Sequence, residues 1–329
     1  MDAISYERAT DIDSAIKSAS QPGVAFIGGG TNLLDLMKGG VATPMKLVDI
    51  THIDSLNDVA RLPNGGLRIG ALVRNSTAAN NPMVREQYPL LSEAFLAGAS
   101  AQLRNMATVG GNLMQRTRCY YFYDTGFLNC NKRRPGSGCA AIEGNSRIHA
   151  ILGASDQCIA TNPSDMSVAL AALDAVVQVT GPNGKRMIPF AEFHRLPGDR
   201  PERDTTLQAG ELITSVDLPA PLFAHHSHYL KVRDRASYAF ALVSVAAALQ
   251  MDGNTVKTAR IALGGVAHKP WRASATEQAL AGKPLSHDTL HSAAALATRD
   301  AKAYRDNGFK IELAQRAIVR AVQNAGGIA

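Results

Sequence analysis

Two glycine-rich turns constrain this 329-residue chain more than any other feature of its sequence. The first follows the apolar run VAFI at residues 24–27 and reads GGGTNLL from residue 28, and the second reads VGGNL from residue 109. Because glycine has no Cβ, the backbone N–H groups of such turns can approach and surround an anion such as a pyrophosphate. Together with a capped helix start near Ser164 or Asp165, the two turns favour a dinucleotide pocket over ordinary tight turns. The first turn is not a Rossmann fingerprint, because Leu33 occupies the position of its third glycine.

The surrounding pattern predicts mixed α and β structure. Strands at 24–27 and 45–50 flank a helix at 33–38, which predicts a parallel βαβ unit, and Thr10 or Asp11 can cap an earlier helix. Residues 89–106 predict one long helix, and a hairpin turn is expected at 181–184. Strands followed by helices are expected after Pro221, where we place a domain boundary.

All four cysteines lie between residues 115 and 160, a stretch with no sustained periodicity of 2 or 3.6. This confinement favours one shared purpose for the cysteines. Their wide spacing lacks the close pairs of most zinc sites, two disulfides would need an oxidising compartment, and four thiolates could also hold a 4Fe-4S cluster. The stretch carries six Arg and Lys against three Asp and Glu. That excess suits an anionic metal centre, so a metal is favoured over disulfides, while the metal stays open.

Charge and composition exclude several classes of protein. The net charge is only +6 and aromatic residues are 5% of the chain, so no nucleic-acid partner is expected. No apolar stretch approaches the roughly 18 residues of a membrane span, and no membrane association is expected. Acidic residues near the N-terminus, without a basic head and apolar run, predict that this chain carries no signal peptide.

Four ordered segments carry a family resemblance: FIGGGTNLL from residue 26, ATVGGNL from 107, GELI from 210 and KVR from 231. Together they resemble the FAD-binding medium subunit of the xanthine dehydrogenase family of molybdenum hydroxylases, over essentially the whole chain. The resemblance implies an α+β fold: a vanillyl-alcohol-oxidase-type (PCMH) FAD-binding domain in two subdomains and a small C-terminal α+β domain with an antiparallel sheet and helices. The implied boundaries are 1–55, 56–221 with the cysteine insertion at 115–160, and 222–329.

The resemblance also implies the site residues. FAD would contact Phe26, Ile27, Gly28, Gly29, Gly30, Thr31, Asn32, Leu33, Leu34, Thr108, Val109, Gly110, Gly111, Asn112, Arg118, Asp165, Ile213 and Lys231. The cysteine insertion is absent from most of the family and is most similar to that of periplasmic aldehyde oxidoreductases, where the four cysteines hold a 4Fe-4S cluster. The implied cluster ligands are Cys119, Cys130, Cys139 and Cys158. No catalytic acid or base is implied on this chain.

The implied function is electron transfer within a heterotrimer. A large partner subunit with a molybdenum cofactor would oxidise an aldehyde with water to a carboxylic acid, and a small partner with 2Fe-2S clusters would pass the electrons to this FAD and on to an external acceptor. The resemblance favours the periplasm, reached with a signal-bearing partner subunit; the cytoplasm is the alternative.

Two other functions remain open from the residues alone. A self-sufficient flavoenzyme on the same fold would need side chains placed over the flavin for proton transfer from its own substrate. A non-enzymatic binding protein would use its cysteines in disulfides and its glycines in ordinary turns.

Overall fold

The computed structural model describes residues 3–328, which form three β-sheets from successive parts of the chain. The first sheet is parallel, with strand order β1-β3-β2. Its elements are β1 (Ser5–Arg8), α1 (Ile12–Ala19), β2 (Val24–Ile27), α2 (Leu33–Lys38) and β3 (Lys46–Asp49). Asp11 caps α1, since its side chain accepts a hydrogen bond from the Ser14 N–H at 2.8 Å. The predicted capped helix and the predicted parallel βαβ unit are both confirmed.

The second sheet is antiparallel, with strand order β4-β5-β8-β6-β7. Its strands are β4 (Val59–Arg61), β5 (Leu67–Gly70), β6 (Val176–Gly181), β7 (Gly184–Pro189) and β8 (Leu212–Leu218). Between β5 and β6 the chain forms α3 (Asn75–Asn80), α4 (Pro82–Gln87), α5 (Pro89–Ala97), α6 (Ala101–Met106), α7 (Val109–Leu113), α8 (Tyr120–Tyr123), α9 (Ala140–Glu143) and α10 (Asp165–Ala172), and α11 (Phe190–Phe193) follows β7. β6 and β7 form the predicted hairpin, in which Gly181 lies opposite Gly184.

The single helix predicted over residues 89–106 is wrong. α5 and α6 are separated by a break in which Gly98 is extended and Ala99 has a φ of +52°. Ser100 then begins α6 by accepting a hydrogen bond from the Leu103 N–H. The break matters because it frees the carbonyl of Ala97, which accepts a hydrogen bond from Lys231 at 3.1 Å.

The third sheet is antiparallel and packs against the C-terminal helices. Its strands are β9 (Ser227–Val232), β10 (Val243–Asp252), β11 (Thr255–Gly264), β12 (Trp271–Arg272) and β13 (Lys283–Pro284), and the helices are α12 (Ser274–Leu280), α13 (His287–Leu296) and α14 (Phe309–Gly326). α14 buries Ala314, Ala317, Ile318, Ala321, Val322 and Ala325, a helical stripe of mostly small residues that lets it lie close to the sheet. No helix within the described residues is long and apolar enough to span a membrane.

Candidate functional site

The first glycine turn connects β2 to α2 and has unused backbone donors. Residues 28–32 are only partly buried, and among the described residues none of their backbone N–H groups donates a hydrogen bond to another part of the chain. Gly30 has a φ of +73°, which L side chains rarely adopt. Because backbone donors in a folded chain are normally paired, this row of free N–H groups is suited to an anionic group.

The second glycine turn differs from the first in its backbone hydrogen bonds. Thr108 caps α7 by accepting from the Gly111 N–H at 3.1 Å, and the N–H groups of Val109 and Gly110 donate to backbone carbonyls at 3.0 and 2.8 Å. Three amides of this turn are therefore occupied within the chain. The Asn112 side-chain oxygen is engaged as well, since it accepts a hydrogen bond from the Ser164 hydroxyl at 2.8 Å. The predicted contacts of residues 108–112 with FAD stay predictions.

The two turns lie side by side although they are far apart in sequence. Asn32 Nδ2 donates to the Gly111 carbonyl at 3.4 Å across 79 positions. A Cβ built on Gly29 would lie 1.9 Å from the carbonyl oxygen of Met106, which also accepts a hydrogen bond from Arg74. Gly29 is thus required for the approach of the two turns to each other.

Arg118 links the glycine turns to the cysteine insertion. Its guanidinium donates to Asn32 Oδ1 at 2.6 Å and lies 3.6 Å from the Asp35 carboxylate. The guanidinium carbon also lies 5.0 Å from the centroid of the Phe240 ring. Arg118 therefore contacts the first turn, and the next residue in the chain is Cys119, the first of the four cysteines.

Asp165 and Lys231 form a buried ion pair beside the second turn. Ser164 donates to Asn112 Oδ1 at 2.8 Å, which brings the start of α10 to that turn. The Asp165 carboxylate accepts from the Tyr229 hydroxyl and from Lys231 Nζ, each at 2.7 Å. Both carboxylate oxygens are therefore engaged by β9, and this pair joins α10 to the third sheet.

Breaking this pair is expected to destabilise the chain strongly. Lys231→Met leaves a buried carboxylate without its cation, so we expect a loss of about 3–5 kcal/mol in the free energy of unfolding, measured by urea denaturation. The double variant Lys231→Met/Asp165→Asn removes both charges and should recover part of the loss. A double variant as unstable as the sum of the two single variants would contradict this reading.

Ile213 lies in the core of the second sheet, in β8 opposite Val179, and is 5% exposed. The adjacent Thr214 carbonyl accepts from the Ala71 N–H at 2.9 Å, and the Ala71 carbonyl accepts from Gly110 at 2.8 Å. This chain of backbone bonds connects the Ile213 strand to the second turn. The predicted role of Ile213 beside the flavin stays a prediction.

The four cysteines pack together in the insertion. Cys119, Cys130 and Cys158 are buried, Cys139 packs against them half-buried, and all four thiols are free. Burial raises the pKa of Cys119 to about 12, and the neighbouring Cys158 and Cys130 act in the same direction. Burial also raises the pKa of Cys158 to about 11, although the Lys132 ammonium opposes this. In residues 3–328 no group of three or more His, Cys, Asp or Glu is arranged to hold a single metal ion.

The insertion is fastened to the rest of the chain by a buried charge network around Asp204. Lys132 is 4% exposed, and its ammonium contacts the Asp204 carboxylate, the Pro201 carbonyl at 2.7 Å and His268 Nε2 at 2.7 Å. Arg116 donates to the other oxygen of Asp204 at 2.6 Å. Burial alone would raise the pKa of Asp204, but Lys132 and Arg116 outweigh it and lower that pKa to about 2.

The Asp204 network predicts an acid-sensitive stability. The folded pKa of about 2 lies below the ordinary 3.8, so the stabilisation is complete above pH ~4 and is lost as the pH falls towards 2. Urea unfolding at pH 7 and pH 3 should therefore show a smaller pH dependence in Asp204→Asn than in the wild type. Asp288→Asn, at a fully exposed carboxylate, should keep the wild-type dependence. Equal pH dependence in Asp204→Asn and wild type would contradict the assignment.

The roles of several residues in this region are not predicted from the sequence. Arg74, Tyr229 and Lys132 hold other site groups through contacts between distant parts of the chain. His149, whose Nε2 lies 3.1 Å from the Cys119 sulfur, has one visible signal: it is the single histidine of residues 115–160.

Family comparisons match both parts of the chain. The family model "FAD binding domain in molybdopterin dehydrogenase" matches residues 2–221, and "CO dehydrogenase flavoprotein C-terminal domain" matches residues 228–325. The finer boundaries at residues 55 and 221 stay predictions. The expected PCMH-type FAD-binding fold with a small C-terminal α+β domain is confirmed.

Individual relatives agree with the family models. The chain is 52% identical to the aldehyde oxidoreductase FAD-binding subunit PaoB of Escherichia coli K12 over 328 residues, 99% of each. It is 29% identical to the glyceraldehyde dehydrogenase medium chain of Sulfolobus acidocaldarius, covering 87% of this chain and 84% of that one. Quinoline 2-oxidoreductase from Pseudomonas putida 86 aligns with a TM-score of 0.77 at 26% identity, over 99% of this chain and 98% of that one. The chain therefore belongs to the FAD-binding medium subunits of the molybdenum hydroxylase family, which are oxidoreductase components.

Proposed function

We propose that this chain is the FAD- and 4Fe-4S-containing electron-transfer subunit of a heterotrimeric, molybdenum-dependent aldehyde oxidoreductase. The observation that carries the proposal is the placement of Arg118, which contacts the first glycine turn and directly precedes the first of four packed cysteines. The 52% identity to a subunit named for aldehyde oxidoreductase supports the substrate class.

The residues of the glycine turns fit FAD. The free N–H groups of residues 28–32 are suited to its pyrophosphate, and the Gly29 contact with the second turn keeps that row of donors in place. FAD, when bound, accepts electrons one at a time and delivers them to an external acceptor. The chain contributes position and charge: Arg118 borders the first turn, and the Asp165–Lys231 pair fixes the start of α10 beside the second.

The cysteine insertion fits a 4Fe-4S cluster. Its four donors are all thiols, the ligand type of such clusters, and they would bind iron as thiolates even though burial raises the pKa of Cys119. Cys119, Cys130, Cys139 and Cys158 would each supply one thiolate to such a cluster, which would carry single electrons. The Lys132 ammonium beside Cys158 favours the negative charge that the cluster brings.

The remaining parts of the proposal concern the partners and the location. A large subunit would hold the molybdenum cofactor that oxidises the aldehyde, and a small subunit would hold the 2Fe-2S clusters that supply electrons to this chain. The family description, which refers to molybdopterin dehydrogenase, supports such an assembly. A periplasmic location, reached through a signal on a partner, follows from the resemblance of the cysteine insertion.

Purification of the tagged chain from its native host tests this function. We expect two further subunits and molybdenum to copurify, the preparation to reduce a dye with aldehyde, and the complex to lie in the periplasmic fraction. The chain produced without partners should have no aldehyde turnover. Turnover by the isolated chain would instead favour the self-sufficient flavoenzyme.

A further inference from the structure

His149 is a buried side chain that the proposed function leaves without a role. It is 1% exposed, and its Nε2 lies 3.1 Å from the Cys119 sulfur. Its other ring nitrogen, Nδ1, is buried without a hydrogen-bond partner among the described residues. Buried polar atoms are usually paired, so the unpaired Nδ1 costs free energy of folding. The same ring orientation places Nε2 against a cysteine.

The backbone of His149 is fixed from several sides. Its N–H donates to the Ser146 carbonyl at 2.9 Å. Its own carbonyl accepts from Lys310 Nζ at 2.8 Å and from Asn307 Nδ2 at 3.3 Å, and both of these residues are fully buried at the start of α14. The ring therefore has a defined position against Cys119, as a residue that adjusts a cofactor requires.

The hydrogen bond has a definite direction when Cys119 binds metal. A metal-bound thiolate has no proton to donate, so His149 Nε2 must carry the hydrogen and the sulfur must accept it. The unpartnered Nδ1 is then a lone pair rather than a stranded N–H donor, which is the less costly of the two buried states. The short Nε2–sulfur distance and the burial of Nδ1 therefore both favour the His149 tautomer with its hydrogen on Nε2.

We propose that His149 sets the reduction potential of the four-cysteine iron–sulfur centre by donating an Nε2–H hydrogen bond to the Cys119 sulfur. Hydrogen bonds to cluster sulfurs offset the negative charge that grows when the cluster takes up an electron, so they favour the reduced state. This inference rests on the proposed 4Fe-4S function. His149 acts through Cys119 and is a positioning residue.

Two substitutions separate the hydrogen bond from packing. His149→Leu fills similar space without a donor, whereas His149→Gln places an amide N–H near the position of Nε2. His194→Leu is the matched control, because His194 is also buried, also has an unpartnered Nδ1, and directs its Nε2 at the Leu113 carbonyl at 3.0 Å instead of a cysteine. The complete complex would be purified anaerobically, with iron, sulfide and FAD measured before a redox titration of the cluster followed by electron paramagnetic resonance.

We expect His149→Leu to keep its iron and to have a more negative cluster potential. At the wild-type midpoint its ratio of reduced to oxidised cluster should fall about tenfold, equivalent to about 59 mV for one electron. His149→Gln should stay close to wild type, and His194→Leu should leave the potential unchanged. An unchanged potential in His149→Leu would overturn the inference.

Iron content resolves the remaining outcomes. If His149→Leu loses iron while His149→Gln keeps it, the inference is also overturned, because the hydrogen bond then retains the cluster rather than setting its potential. Loss of iron from both variants overturns it, because packing or direct ligation then explains the histidine. Absence of iron from the wild-type complex overturns the proposed cluster itself. The iron content of the wild type is therefore measured before any variant is compared with it.

Discussion

The Gly29→Val variant is expected to purify with about a tenth or less of the wild-type FAD content. A Cβ at this position would lie 1.9 Å from the Met106 carbonyl oxygen and 3.1 Å from the Arg74 guanidinium, so the two glycine turns must separate. Separation breaks the Asn32–Gly111 contact and displaces the free N–H groups that suit the pyrophosphate. The measurement is FAD released by denaturation, per mole of chain.

The control for Gly29→Val is Gly39→Ala, at the end of α2. A Cβ on Gly39 meets its nearest atom at 3.6 Å, an ordinary contact, and the residue has a helical conformation. This variant should keep its FAD. Normal FAD stoichiometry in Gly29→Val would show that the approach of the two turns is not needed for the cofactor.

The Cys130→Ser variant is expected to lose most of its iron while FAD remains substantially bound. Cys130 is buried with the other cysteines, and a serine hydroxyl is a much weaker ligand for iron than a thiolate. FAD should persist because the glycine turns contact the insertion through Arg118 rather than through the thiols. Iron, acid-labile sulfide and FAD would be measured on the same anaerobic preparation.

Ile142→Ala provides the comparison for Cys130→Ser. Ile142 packs against the same group of buried cysteines, so its truncation loosens the insertion while leaving four thiols in place. Iron should be retained in this variant. Full iron retention in Cys130→Ser would remove Cys130 from the ligand set.

The locally encoded parts of the fold were predictable from the sequence. Asp11 and Ser164 cap the helices that follow them, and the 181–184 turn forms its hairpin, because each of these features depends on residues within a few positions. The sequence does not predict the break between α5 and α6, because the segment AGAS at 97–100 and its neighbours continue a helical composition. Only the left-handed Ala99 and the Ser100 cap end α5 there.

The arrangement of the site depends on contacts that no local pattern encodes. The Arg118–Asn32 bond spans 86 positions, and the Lys132–His268 contact spans 136. The family resemblance brings the glycine turns and cysteines to attention, but it does not indicate that the amides of the second turn are occupied. It likewise gives no role to His149.

The most direct test of this account is the cofactor content of the anaerobically purified chain. An absorbance spectrum with iron, acid-labile sulfide and FAD analysis should give flavin bands, about one FAD, and about four iron and four sulfide per chain. Flavin without iron or sulfide would contradict the assignment of the four cysteines to a 4Fe-4S cluster.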